Sequence, residues 1–118
     1  MKVDERAIGD VTILTVEGRM AIDAPHDERL ADKVRRLLKQ GRKRIVLDLA
    51  GVSHIDSTGL CDIVTAYTTT IRRDGSLKLL SPTPRVRDLL RITKLRTVLE
   101  AYDSEADALA SFGSSPSV

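Results

Sequence analysis

The chain has 118 residues, 42% of them apolar and 31% charged, with a formal net charge of +2. That length and balance describe one soluble globular domain and exclude a fibrous or disordered chain. Aromatic residues are 3% of the sequence, so the core has to be built from Leu, Ile, Val and Ala, and stacking surfaces for nucleic acid are missing. The near-neutral charge argues in the same direction, although Arg35, Arg36, Lys39, Arg42, Lys43 and Arg44 are locally dense and read as a solvated helix face and its exit. No apolar run reaches the roughly 18 residues of a bilayer-spanning helix, and residues 1–6 lack the apolar stretch of a signal peptide, so the cytoplasm is the expected location. Cys61 is alone, which rules out an intrachain disulfide or a multi-cysteine metal site and fits a buried structural thiol.

Two strand-like stretches open the chain, about 2–8 and 11–17, and Gly9-Asp10 between them reads as a hairpin turn. After Gly18 comes a polar loop in which Asp23 is an N-cap candidate and Pro25 suits a first helical turn. Leu30, Val34, Leu37 and Leu38 follow at helical spacing, and Gly41 is placed to end that helix in a left-handed cap. Residues 45–49, Ile-Val-Leu-Asp-Leu, form a nearly continuous apolar run expected to be the middle of the sheet. Leu60, Ile63, Val64, Tyr67 and Ile71 then mark one face of a second helix, closed by Arg72, Arg73 and Gly75.

Residues 77–80 read as a further strand. Thr83 and Pro84 then start a helix whose core stripe is Val86, Leu89 and Leu90. A short strand is expected over 97–102 and a last helix from Asp103 or Ser104 through Ala108, Leu109 and Phe112. The expected architecture is a single α/β domain over 1–112, a mixed sheet with an N-terminal hairpin and about four helices, followed by a disordered tail at 113–118.

Chemistry concentrates in residues 52–60, Val-Ser-His-Ile-Asp-Ser-Thr-Gly-Leu, between the central strand and the second helix. Side chains at such a turn lie at the sheet edge where ligands commonly sit. Ser57 is a good N-cap, Gly59 permits close approach of another chain, and a helix start offers unpaired N–H groups to an anion. From these residues alone, Asp56 and Ser57 either merely cap the helix or present a hydroxyl suited to phosphate. Ser57 lacks a nucleophile-elbow frame because Ile55 stands where the first glycine belongs, and no glycine-rich phosphate loop is present. His26 and His54 make a poor metal pair. No catalytic residue, cofactor or metal site is therefore expected.

The run Asp56-Ser57-Thr58-Gly59-Leu60, following the 45–49 strand, resembles the Asp-Ser-[Ser/Thr]-Gly-Leu signature of the STAS family, in particular its bacterial anti-sigma factor antagonists. The similarity extends over nearly the whole chain, from the hairpin ending in Gly18 to the closing helix, and implies a STAS-like fold. It further implies that Ser57 is phosphorylated by a serine kinase that is also an anti-sigma factor, and that a phosphoserine phosphatase resets the cycle. Asp23, His54, Asp56, Ser57, Thr58, Gly59 and Leu60 would form the partner-binding surface of a monomer or weak dimer that contacts neither nucleic acid nor membrane. Two positions depart from the family pattern: Ala21 stands where many members have an acidic residue, with Asp23 two residues later, and Cys61 occupies a site often held by glycine. Competing readings are a STAS module serving as a scaffold, transport accessory subunit or small-ligand sensor, and a receiver-like phosphoacceptor using Asp48.

Overall fold

The Gly9-Asp10 turn between two strand-like stretches produces the hairpin the sequence predicts. In the computed structural model, which describes residues 2–20, 29–95 and 99–113, β1 (Lys2–Ile8) pairs antiparallel with β2 (Val11–Met20), Ile8 opposite Val11 across the Gly9-Asp10 turn. Gly9 has φ +61, a left-handed value that costs glycine little. The chain continues through α1 (Leu30–Lys39), β3 (Arg44–Ile55), α2 (Ser57–Arg72), β4 (Ser76–Leu80), α3 (Pro84–Ile92), β5 (Ala101–Tyr102) and α4 (Glu105–Gly113).

The sheet order is β1-β2-β3-β4-β5, with every pair after the hairpin parallel. β3 is thus the middle strand, as its apolar run predicts. Period-two alternation sends Leu14, Val16, Ile45, Leu47, Leu49, Leu77 and Leu79 to one face, where they bury against α1, α2 and α3. Val11, Ile13, Val46 and Leu80 point to the other, where Ala108, Leu109 and Phe112 of α4 cover them. The three crossover helices share one face, as expected when parallel strands are added in one direction by connections of one hand, and α4, which follows the last strand, covers the other.

Three expectations change in detail. β3 does not stop near Leu49 but runs on to Ile55, because Val52 and Ile55 continue into the same core, and β2 accompanies it as far as Met20 with register shifts at Thr15/Glu17 and Gly18/Arg19. The strand expected over 97–102 is pairing only at Ala101–Tyr102, while residues 96–98 lie outside the described residues. α1 begins at Leu30 with Arg29 as its N-cap, and Arg29 provides no side-chain cap. Asp23, Pro25 and His26, along with residues 114–118 of the expected tail, lie outside the described residues.

At the β5 edge, Glu100 Oε2 accepts from Lys78 Nζ at 2.8 Å and from Tyr102 Oη at 2.6 Å. The Lys78 hydrogen bond, aided by Tyr102, lowers the Glu100 pKa from its usual value. A carboxylate with a depressed folded pKa stabilises the fold above its unfolded pKa, and that contribution disappears as pH falls through the folded value. Glu100→Gln should therefore flatten the acid limb of a stability-against-pH curve. Because Glu100 is itself exposed, although Lys78 is mostly covered, the difference at pH 7 should be no more than about 1 kcal/mol by urea titration.

Candidate functional site

β3 delivers Ile55 into the core, and Asp56 then leaves the strand in an extended conformation, φ −121 and ψ −170, to become the N-cap of α2. Its Oδ1 accepts from the backbone N–H of Thr58 at 2.9 Å and of Gly59 at 3.1 Å. The cap is therefore Asp56 and not Ser57. The aspartate satisfies two of the orphan donors at the helix start, leaving Ser57 at the first helical position with its side chain exposed. A serine relieved of capping has its hydroxyl available for modification.

The neighbouring residues divide by exposure. His54 and Ser57 are exposed, Asp56 and Thr58 half-buried, and Gly59 and Leu60 buried. Gly59 does allow close backbone approach, but the approaching strand belongs to this chain: a Cβ at Gly59 would lie 2.0 Å from the Met20 carbonyl oxygen. The same oxygen accepts from Asp56 N–H at 3.2 Å. Gly59 and Leu60 thus act from beneath the surface, holding β2, β3 and α2 together under Ser57.

Two features of α2 escaped the sequence pattern. Cys61, expected to be buried, is exposed, because the buried face comprises Gly59, Leu60, Asp62, Ile63, Ala66 and Thr70. Ser57, Cys61 and Thr65 form the exposed stripe at four-residue intervals, and Ile71, expected on the inner face, is 46% exposed. The second feature is Asp62, buried to 9% exposure, whose Oδ2 accepts from Leu30 N–H at 2.9 Å and whose Oδ1 accepts from Ala31 N–H at 3.0 Å. It supplies from another helix the cap that Arg29 does not give α1. The only sequence signal was an acidic residue interrupting an apolar stretch of helix.

Asp48 does not have the setting of a receiver phosphoacceptor. It is half-buried in mid-strand, well before β3 ends at Ile55, and its Oδ1 is occupied by Ala50 N–H at 3.1 Å. Among the described residues, no three His, Cys, Asp or Glu side chains are grouped to hold a metal. Nor is any helix among them long and apolar enough to cross a membrane. An open groove of about 390 Å³ between α3 and β5 is lined by Arg87, Asp88, Leu90, Arg91, Leu99 and Ala101. Its arginines are already engaged, Arg87 with Asp103 and Arg91 with Asp88.

The family model for the STAS domain matches residues 2–108. The chain belongs to the STAS domain family. A relative of this STAS domain in Thermotoga neapolitana, provisionally named an anti-sigma factor antagonist, is 31% identical over 106 residues, spanning 88% of this chain and 91% of the relative. The crystal structure of a protein from Thermotoga maritima, named in the same provisional way, superposes with a TM-score of 0.78 at 25% identity, covering 92% of each chain. The anti-sigma factor antagonist SpoIIAA of Bacillus shares the fold in both its states. Its unphosphorylated form gives a TM-score of 0.74 at 17% identity over 97% of this chain and all of SpoIIAA, and its phosphorylated form gives 0.73 at 18% over 94% and 99%. The mixed five-stranded sheet with its four helices is therefore the STAS architecture, as the signature at residues 56–60 implies.

Proposed function

We propose that this STAS domain is an anti-sigma factor antagonist whose Ser57 surface docks on a serine kinase that is also an anti-sigma factor, and that phosphate on Ser57 ends the contact. The observation that carries this reading is the exposed Ser57 hydroxyl at the first position of α2, freed from capping by Asp56. The names of the relatives and the two phosphorylation states of SpoIIAA support it. In this reading the unphosphorylated chain occupies the kinase and releases a sigma factor, and a phosphoserine phosphatase restores the binding form. The chain works by docking in the cytoplasm and catalyses nothing itself. His54, Asp56 and Thr58 flank the acceptor on the partner surface. Asp23 is included from the resemblance alone.

Ser57 is favoured over Thr58 as the acceptor because it is exposed where Thr58 is half-buried. A pull-down from lysate with and without ATP, read by mass spectrometry, should recover an ATP-dependent serine kinase. Incubation with that kinase and ATP, followed by phosphopeptide mapping, should then place most of the phosphate on Ser57. Phosphate found mainly on Thr58 or another residue would reject the assignment.

A further inference from the structure

We propose that Asp62 is a positioning residue for partner docking: its buried carboxylate holds the first turn of α1 beside the Ser57 end of α2, so that the two helix starts meet the partner as one surface. The inference rests on the Ser57 reading and adds a residue that neither the signature nor the exposed surface contains.

Two connections of the chain converge at α2. β2 ends against it, with Met20 O accepting from Asp56 N–H at 3.2 Å and the Met20 backbone lying where a Gly59 Cβ would be. α1 starts against it, with Leu30 and Ala31 N–H both donating to Asp62. The end of β2 and the start of α1 are therefore both fixed to the segment from Asp56 to Asp62, which contains Ser57. At 1.5 Å of rise per residue, Asp62 is about 7.5 Å along the helix from Ser57 and on its inner face, so α1 starts behind Ser57. A partner interface of standard size, about 800 Å² on each side, centred on Ser57 extends far enough to meet the exposed Asp32 in the first turn of α1.

The carboxylate is a demanding choice for its location. Position 62 faces inward next to Gly59, Ile63 and Ala66, and an apolar residue there would bury more hydrophobic surface. A buried carboxylate is weak evidence for stability, and in some proteins such a group is retained because it fixes one arrangement among several. Here the arrangement is specific: two oxygens, two N–H groups and a helix N-terminus whose dipole favours an anion. An apolar residue would leave both α1 donors without these acceptors, and Arg29 offers no side chain in their place.

The discriminating variant is Asp62→Asn, which keeps the shape and replaces one acceptor oxygen by a donor. Phosphorylation of Ser57 in the full chain is followed with ATP and the serine kinase recovered by the pull-down. The expected result is a KM raised about tenfold or more with kcat within about twofold. Leu109→Ala, on α4 across the sheet, is the control for general destabilisation and should leave KM at the parent value. A KM for Asp62→Asn equal to the parent's, or a matching rise in Leu109→Ala at comparable loss of melting temperature, would overturn the proposal. A measurement on the unmutated chain covers the case of a misfolded variant: adding the kinase should perturb the amide resonances of Leu30 and Ala31 along with that of Ser57. Perturbation at Ser57 alone overturns the role of Asp62 and leaves the Ser57 reading standing. No perturbation and no phosphate at Ser57 overturns both.

Discussion

Phosphate on Ser57 should lower affinity for the kinase by about two orders of magnitude or more while leaving the melting temperature close to that of the unmodified chain. The group adds a charge of about −1.5 to −2 at pH 7, at the first position of α2. Two effects act on the domain itself. The dipole of α2 favours an anion at this end by about 0.3 to 1 kcal/mol. Asp56 opposes it, because its carboxylate is adjacent and already takes the Thr58 and Gly59 N–H groups that would otherwise turn to phosphate. The two nearly cancel, so the fold is indifferent to the modification. The partner is not indifferent. A surface fitted to a neutral hydroxyl must desolvate or repel the new charge, at a cost of several kcal/mol. Since about 1.4 kcal/mol is tenfold in affinity, a penalty near 3 kcal/mol gives the expected loss. Ser57→Asp, carrying less charge, should weaken binding by a smaller factor, and Ser57→Ala should bind like the parent and stay bound when ATP is added. Calorimetric titration for affinity and circular dichroism for melting decide the matter. Parent-like binding by both the phosphorylated chain and Ser57→Asp would end the switch hypothesis, as would a loss of binding that merely follows unfolding.

The sheet was legible in the sequence because its signals are local. Gly9-Asp10 between two strand-like stretches, the second rich in β-branched residues, specifies the hairpin, and the nearly continuous apolar run at 45–49 marks β3 as covered on both sides. Thr83-Pro84 announced α3, and Thr83 Oγ1 does accept from Val86 N–H, at 3.5 Å. The signature at 56–60 marked the family. What the sequence obscured depends on contacts between distant residues. Ser57 and Asp56 are both good caps by composition, and only the geometry with which β3 enters α2 decides for Asp56. Asp62 carried no signal of its role because its two donors are about thirty residues earlier, and no periodicity links a side chain to the start of another helix. Cys61 looked buried because thiols usually are, but one turn after an exposed Ser57 it has to face the same way. The extension of β3 to Ile55 was hidden by Gly51, Ser53 and His54, polar or small residues that lie on a strand because β2 runs beside them.

Gly59→Ala should destabilise the domain by about 2 kcal/mol or more and lower its melting temperature by roughly 10 °C. Two terms of opposite sign compete. Inside a helix, replacing glycine with alanine gains about 1 kcal/mol of intrinsic propensity. The new methyl would, however, stand 2.0 Å from the Met20 carbonyl oxygen, 2.7 Å from its Cβ and 2.8 Å from its carbonyl carbon. Two of these atoms are backbone, so no rotamer change relieves the overlap, and either α2 or the end of β2 must move by an ångström or more. Overpacking a well-packed site typically costs about 1 to 3 kcal/mol and occasionally more, and a contact this short belongs at the upper end. Movement also stretches the Asp56 N–H to Met20 O hydrogen bond, another 1 kcal/mol or so. The clash therefore outweighs the propensity gain, and about 3–6 °C per kcal/mol, between the values for smaller and larger domains, converts the difference to a melting shift. Gly51→Ala is the matched comparison, because its nearest neighbour is Glu17 Cγ at 2.8 Å, part of a flexible side chain that can swing away. Urea titration of the two variants should give a clear loss for position 59 and a much smaller one for position 51. Equal stabilities, or a Gly59→Ala variant more stable than the parent, would show that β2 does not press on the start of α2 as described.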